Sequence, residues 1–216
     1  MTHCVLILGG SFDPVHNGHI ALGAHFCKLL EPDELRVIPA GNPWQKERLL
    51  ATADHREEML RRAFEAQQLP IKIDRQEIER KGATYTIDTV RAIRDEIGPQ
   101  ASIVLLLGID QLNRLDSWHE WRNIFNYVHI CAASRPGYPA DWSQMPHEVA
   151  AEFSRRKGTL GQIRSTSHGL TYLTQDLAVD VSATDIRLAL QHGAKPASLI
   201  PPVVLDYIEQ FHLYKD

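Results

Sequence analysis

The sequence predicts an α/β fold, a single-domain, doubly wound parallel sheet with helices on both faces. Three observations carry that expectation. Short apolar runs alternate with stretches of helical period, and strands alternating with helices imply βαβ units. Ser102–Gly108 is apolar throughout its centre, as in a strand buried on both faces. The first apolar run, Val5-Leu6-Ile7-Leu8, breaks at a glycine turn and continues as a helical pattern. The chain has 216 residues, enough for one domain with a sizeable core. No linker marks a second domain, so residues 1–216 are read as one unit whose last part, about 181–216, holds a second motif and a closing helix.

The elements follow in order. Residues 4–9 read as a strand and 18–30 as a helix. Leu35–Pro39 reads as a second strand, followed by a Gly/Pro/Trp loop at 40–46. The segment 53–67 is helical, with Met59, Leu60, Ala63 and Phe64 on one face. Ile71–Ile73 is a short strand and Thr86–Ile97 a helix. Ser102–Gly108 is the buried strand, Trp118–Phe125 a short helix, and Val128–Ala133 another buried strand. The less regular stretch 137–170 reads as one helix, about 145–156, with loops. Leu177-Ala178-Val179 reads as a strand end leading to a helix over Ile186–Gln191. Pro202–Leu213 closes the chain as an amphipathic helix.

Composition narrows the function classes. Hydrophobic residues make up 44% and charged residues 23%, the globular norm. A net charge of -4 argues against broad nucleic-acid binding, which wants a basic surface. No apolar run approaches the roughly 18 residues of a membrane helix, and no basic leader precedes the first strand. A cytoplasmic protein without membrane or nucleic-acid partners is expected, with self-association left open. Cys4, Cys27 and Cys131 lack metal-ligand spacing and read as buried free thiols.

Two segments carry chemistry. Gly9-Gly10-Ser11-Phe12-Asp13-Pro14-Val15-His16-Asn17-Gly18-His19 follows a strand and opens a helix. Glycines admit a close anion, helix-start N–H groups point at it, and His16 and His19 would share a helix face. A phosphate nearby would favour their protonated forms, and such donors can follow charge building on a phosphoryl group. The bland alternative is a helix start with incidental histidines. In Val181–Arg187, Ser182 can cap a helix, with Asp185 completing a capping box. The same Ser182 and Thr184 hydroxyls, with the Arg187 fork, can bind phosphate oxygens. Asp13 reads as structural, holding the turn before Pro14. His25, His55 and His147 read as surface residues.

Gly10-Ser11-Phe12-Asp13-Pro14 with His16-x-Gly18-His19, joined to Ser182-x-Thr184-x-Ile186-Arg187, resembles the HxGH nucleotidylyltransferase superfamily. Tyr85–Thr89, Leu107–Asp110 running to Leu115-x-x-Trp118-His119, Arg135-Pro136-Gly137, Tyr207-Ile208 and Leu213-Tyr214 stand in the order of the bacterial nicotinate-nucleotide adenylyltransferases. The resemblance spans residues 5 to 214. It implies a Rossmann-like fold and transfer of AMP from ATP to nicotinate mononucleotide, giving deamido-NAD and pyrophosphate.

It also implies roles. ATP would be held by Gly9, Gly10, Ser11, Phe12, His16, His19, Gly108, Asp110, Ser182, Thr184 and Arg187, with His16, His19 and Arg187 catalytic. Tyr85, Thr86, Trp118, His119 and Arg135 would receive nicotinate mononucleotide, Trp118 stacking on the pyridine ring. The alternatives are a core Trp118, an N-cap Thr86 and a strand-end cap at Asp110; Trp121 is the expected core tryptophan. Many relatives carry Pro-Pro-His-Lys after the second strand, where this chain has Asn42-Pro43-Trp44-Gln45-Lys46. Lys46 keeps the basic residue expected at the phosphates, or is a solvated loop lysine.

The implied chemistry is direct in-line transfer with Mg²⁺ arriving on ATP and no protein metal site. Nicotinamide-mononucleotide and phosphopantetheine adenylyltransferases are the nearby alternatives. The latter is expected to be shorter and to lack the Tyr85-Thr86 and Trp118-His119 pairs. A nucleotide-binding sensor without catalysis is the reading from another class; intact His16, His19 and Arg187 weigh against it.

Overall fold

The computed structural model describes residues 2–42, 49–134, 145–175, 177 and 181–215. In chain order these form β1 (Cys4–Gly10), α1 (Asn17–Leu30), β2 (Glu34–Pro39), α2 (Ala53–Glu65), β3 (Ile71–Ile73), α3 (Gln76–Glu79), α4 (Thr86–Ile97) and β4 (Ser102–Gly108). Then come α5 (Ile109–Leu112), α6 (Trp121–Ile124), β5 (His129–Ala133), α7 (His147–Arg155), α8 (Leu160–Ser165), β6 (Thr171–Thr174), α9 (Ala183–Gln191) and α10 (Pro202–Gln210).

The strands build one sheet in the order β3-β2-β1-β4-β5-β6. Every pairing is parallel. The chain winds outward from β1 to β3, then returns to the other side of β1 at β4. In such sheets a crevice opens beyond the carboxyl ends of the strands where the winding reverses. That point lies between β1 and β4, directly after Gly10 and Gly108.

Alternation along each strand explains the two cores. Successive side chains of a strand point to opposite faces. Leu6 and Leu8 of β1 join Phe26 of α1, Met59 of α2 and Val204 of α10 in one core. Ile7, between them, joins Val90 of α4, Ile124 of α6 and Phe153 of α7 in the other. The three-layer, doubly wound architecture is the one expected.

Several boundaries differ from the expected ones. The helix expected from Trp118 begins at Trp121, because Leu115–Ser117 forms a 3-10 turn ending at Trp118 and Glu120 has φ 50. α8 lies in the stretch 137–170 read as one helix with loops, and β6 follows it in residues assigned to no element. β6 is a four-residue strand at the end of the sheet order, paired with β5 and bridged at Thr171 to Lys157, too short for its period to register. Ala178 and Val179, read as a strand end, lie outside the described residues, and Leu177 is not in a strand. The closing helix stops at Gln210 rather than Leu213.

Cys4, Cys27 and Cys131 are free and buried, as expected, and burial pushes the Cys27 thiol up to about 11. No helix of the described residues is long and apolar enough to cross a membrane. Phe26, fully buried between α1 and the sheet, is expected to cost about 3–5 kcal/mol when changed to Ala, by lost burial and the cavity left behind. Urea unfolding measures it.

Candidate active site

The loop from Ser11 to His16 joins β1 to α1 and is tied down by Asp13. The Asp13 carboxylate accepts from the backbone N–H of Leu50 at 2.8 Å and of Ala51 at 3.1 Å. Asp13 thus has the structural role expected of it. Phe12 stands in the left-handed region at φ 47. Its ring is fully buried and meets the His19 ring edge-on at 4.8 Å, so only the Phe12 backbone is free to meet a ligand.

His16 is the N-cap of α1, one position outside the helix. The His16 and His19 rings nevertheless stack, with centroids 3.7 Å apart. The His16 N–H donates to His19 Nδ1 at 3.2 Å. A ring nitrogen that accepts carries no proton, so the neutral His19 ring presents its N–H at Nε2. Gly18 makes room for the pair: a Cβ there would stand 3.0 Å from His16 Nδ1. Gly9 faces open space, whereas a Cβ on Gly10 would meet the Phe12 ring at 3.2 Å. Burial lowers the His16 pKa to about 4, and its Nδ1 is buried without a hydrogen-bond partner. His16 is therefore held neutral at pH 7.

α9 brings the second motif to the same place. Ser182 is its N-cap, but the hydroxyl makes no capping bond, so the expected Ser182–Asp185 capping box is not formed. The first-turn N–H groups of a helix have no intrahelical acceptor, which leaves this end suited to an anion. Arg187 is not a free fork. One Nη donates to the Asp13 carbonyl at 2.7 Å and the other to Thr184 Oγ1 at 3.2 Å, tying α9 to the loop after β1.

Across the crevice, Thr86 opens α4 with Tyr85, not Thr86, as the N-cap, and Tyr85 puts no side chain on the exposed amides. The Tyr85 and His119 rings lie 4.7 Å apart. Trp118 is partly buried against the second core, and its Nε1 is buried without a hydrogen-bond partner. Trp121 is the core tryptophan, 6% exposed.

A cavity of about 420 Å³ joins these parts. Of the expected residues it is lined by Gly9, Gly10, Ser11, His16 and His19 after β1, Gly108 and Asp110 after β4, Ser182 and Thr184 at the start of α9, and Thr86, Trp118 and His119. Phe12, Tyr85 and Arg187 stand behind these walls. Lys46 and Arg135 lie outside the described residues.

The chain matches the cytidylyltransferase-like family over residues 7–189. It is 61% identical over 215 residues to a protein of Herminiimonas arsenicoxydans named "Probable nicotinate-nucleotide adenylyltransferase", covering 100% of this chain and 98% of that one. A protein of the same name from Dechloromonas aromatica is 38% identical, with 97% of each chain covered. The chain belongs to the nicotinate-nucleotide adenylyltransferase family. The Plasmodium falciparum nicotinic acid mononucleotide adenylyltransferase complexed with NaAD shares its fold, with a TM-score of 0.75, 20% identity, and 98% and 97% of the two chains covered.

Within this family member's cavity, several lining residues carried no signal in the sequence. Glu77, on the short α3, is a cavity-wall carboxylate whose pKa burial raises, and the Thr89 hydroxyl donates to it at 2.7 Å. The Thr84 hydroxyl is buried there beside Glu77. Lone acidic or hydroxyl residues in a helix–loop stretch have no spacing to betray them. Among the described residues no group of three or more His, Cys, Asp or Glu is arranged to hold a metal ion. Of the histidines read as superficial, His147 is exposed, but His55 is half-buried and bonds the Tyr207 hydroxyl at 2.8 Å.

Two predictions follow from this geometry. His16 and His129 are both lowered by burial from 6.5 to about 4. Below pH 6.5 the unfolded chain takes up protons that the folded chain refuses, so their stabilisation is complete above 6.5 and drains away toward pH 4. In NMR titrations of the unliganded protein their ring resonances should stay in the neutral position from pH 8 to about 5.5. Gly18→Ala should push the His16 ring from its place and lower turnover by about tenfold to a hundredfold, with an unchanged circular dichroism spectrum.

Proposed function

We propose that this protein transfers the adenylyl group of ATP to nicotinate mononucleotide, releasing pyrophosphate and forming deamido-NAD for NAD biosynthesis. The observation that carries the reading is the single cavity at the sheet's switch point. It has an imidazole- and amide-rich end for a polyphosphate and a helix-start and tryptophan end for a pyridine carboxylate. The names of the relatives at 61% and 38% identity support the same acceptor.

ATP lies in this reading with its phosphates across Gly9–Ser11, His16 and His19, and its adenosine toward Gly108 and Asp110. The β and γ phosphates reach the N-terminal end of α9, at Ser182 and Thr184. Mg²⁺ would come as part of the ATP substrate and would supply neutralisation of charge on its phosphates. The acceptor's carboxylate meets the α4 N-terminus at Thr86 and the backbone at Tyr85 and His119, with its ring against Trp118. Arg135 and Lys46 are assigned to the acceptor and the phosphates respectively.

The nucleophile is the phosphate oxygen of nicotinate mononucleotide, already anionic, so no side chain need remove a proton. It attacks the α-phosphorus in line, the α–β bridging P–O bond breaks, and the electron pair leaves on pyrophosphate. His19 donates its Nε2–H to the α-phosphate region. His16, neutral beforehand, takes on charge as the phosphates close over it. Arg187 holds the loop after β1 and the start of α9 in one geometry. Positioning and charge stabilisation therefore supply the catalysis.

The test is pyrophosphate release with ATP, Mg²⁺ and each acceptor in turn. Nicotinate mononucleotide should turn over fastest; a clear preference for the amide or for phosphopantetheine overturns the reading. His19→Ala should lower kcat by about 10²–10³-fold, the loss of one transition-state donor, while the KM for nicotinate mononucleotide moves little.

A further inference from the structure

We propose that Tyr214, third from the end of the chain, is a positioning residue for the phosphate-binding loop and links the C-terminal tail to ATP binding. The proposal rests on ATP lying at that loop, as inferred above.

Tyr214 does not line the cavity. Its ring is 8% exposed and belongs to the core beneath the loop. Its hydroxyl donates to Asp13 Oδ1 at 2.7 Å, across a sequence separation of 201 residues. Burial, with the Asp13 carboxylate beside it, pushes the phenol pKa up, so the proton stays on Tyr214 and the bond stays a donation. The same carboxylate accepts from Leu50 and Ala51 just before α2. The Asp13 carbonyl accepts from Arg187.

The tail is folded back to make this contact. After α10 ends, His212 and Tyr214 stand in the left-handed region at φ 52 and φ 62, although neither is glycine. Such conformations persist only where the surroundings over-determine them. The Leu213 N–H returns to the Ile208 carbonyl at 3.0 Å, closing the tail against α10. An apolar side chain would suffice to fill the space. A hydroxyl aimed at the carboxylate that shapes the loop does more: it sets where Asp13, and with it the backbone between Ser11 and His16, comes to rest. Linkage is reciprocal, so whatever ATP does to the loop must reach the tail.

Tyr214→Phe keeps the ring and removes the donor. It should lower kcat/KM for ATP by about tenfold, the scale of one hydrogen bond to a charged group, and leave the KM for nicotinate mononucleotide unchanged. Wild-type ATP parameters, or a parallel loss for both substrates, overturn the proposal. A second measurement uses the unaltered full chain, in case the variant folds poorly. Hydrogen exchange at residues 211–215 is followed with a non-hydrolysable ATP analogue or with nicotinate mononucleotide alone. The analogue should slow tail exchange by at least about fivefold, the lower end of coupling between linked sites; nicotinate mononucleotide alone should not. If calorimetry shows the analogue bound and the tail exchanges as before, the positioning role fails and the ATP reading stands. If the analogue does not bind, the ATP reading fails and takes this inference with it.

Discussion

A carboxylate buried at 2% exposure, Asp13, has to be surrounded by donors or it would cost more than the fold can bear. The donors it gathers come from distant parts of the chain: the Leu50 and Ala51 amides before α2 and the Tyr214 hydroxyl at the C-terminus. Arg56, 1% exposed, places its positive charge nearby and donates to the Ser11 carbonyl at 2.9 Å. Arg187 adds the tie from α9. The loop after β1 is thus held from several sides. The requirement that a buried charge be satisfied shapes the wall that the loop after β1 gives the cavity.

The histidine pair shows the same economy at shorter range. His19 accepts the backbone N–H of His16 at Nδ1, which fixes the ring where it lines the cavity. Gly18 removes the one Cβ that would collide with the His16 ring. The pair and the glycine between them are therefore one device: two stacked rings at a helix start. Burial lowers the His16 pKa, so this ring lines the cavity in its neutral form.

Much of this was legible in the residues. The order of most strands and helices, the parallel sheet and the two motifs at Gly9–His19 and Ser182–Arg187 could be read from local period and spacing, whereas Thr86 and Trp118 were singled out by the family resemblance. What escaped reading has a common cause. Glu77 and Thr84 line the cavity without a motif, because α3 is four residues long and its placement depends on the strand before it. Ser182 looked like a capping residue and makes no cap bond. Arg187 looked like a free phosphate fork and is spent on Asp13 and Thr184. The structural role of Asp13 could be anticipated; the identity of its partners could not.

The opening glycine–histidine stretch marks the division. Local sequence determined that a strand would end in a turn suited to an anion and that a helix would start beside two imidazoles, because backbone freedom and helix-start amides are properties of neighbouring residues. Only the tertiary structure decided where that turn would point, what neutralises its aspartate and which tail closes under it. Those outcomes depend on groups brought together from opposite ends of the chain, and a buried charge draws its partners by proximity in space, of which sequence order keeps no record.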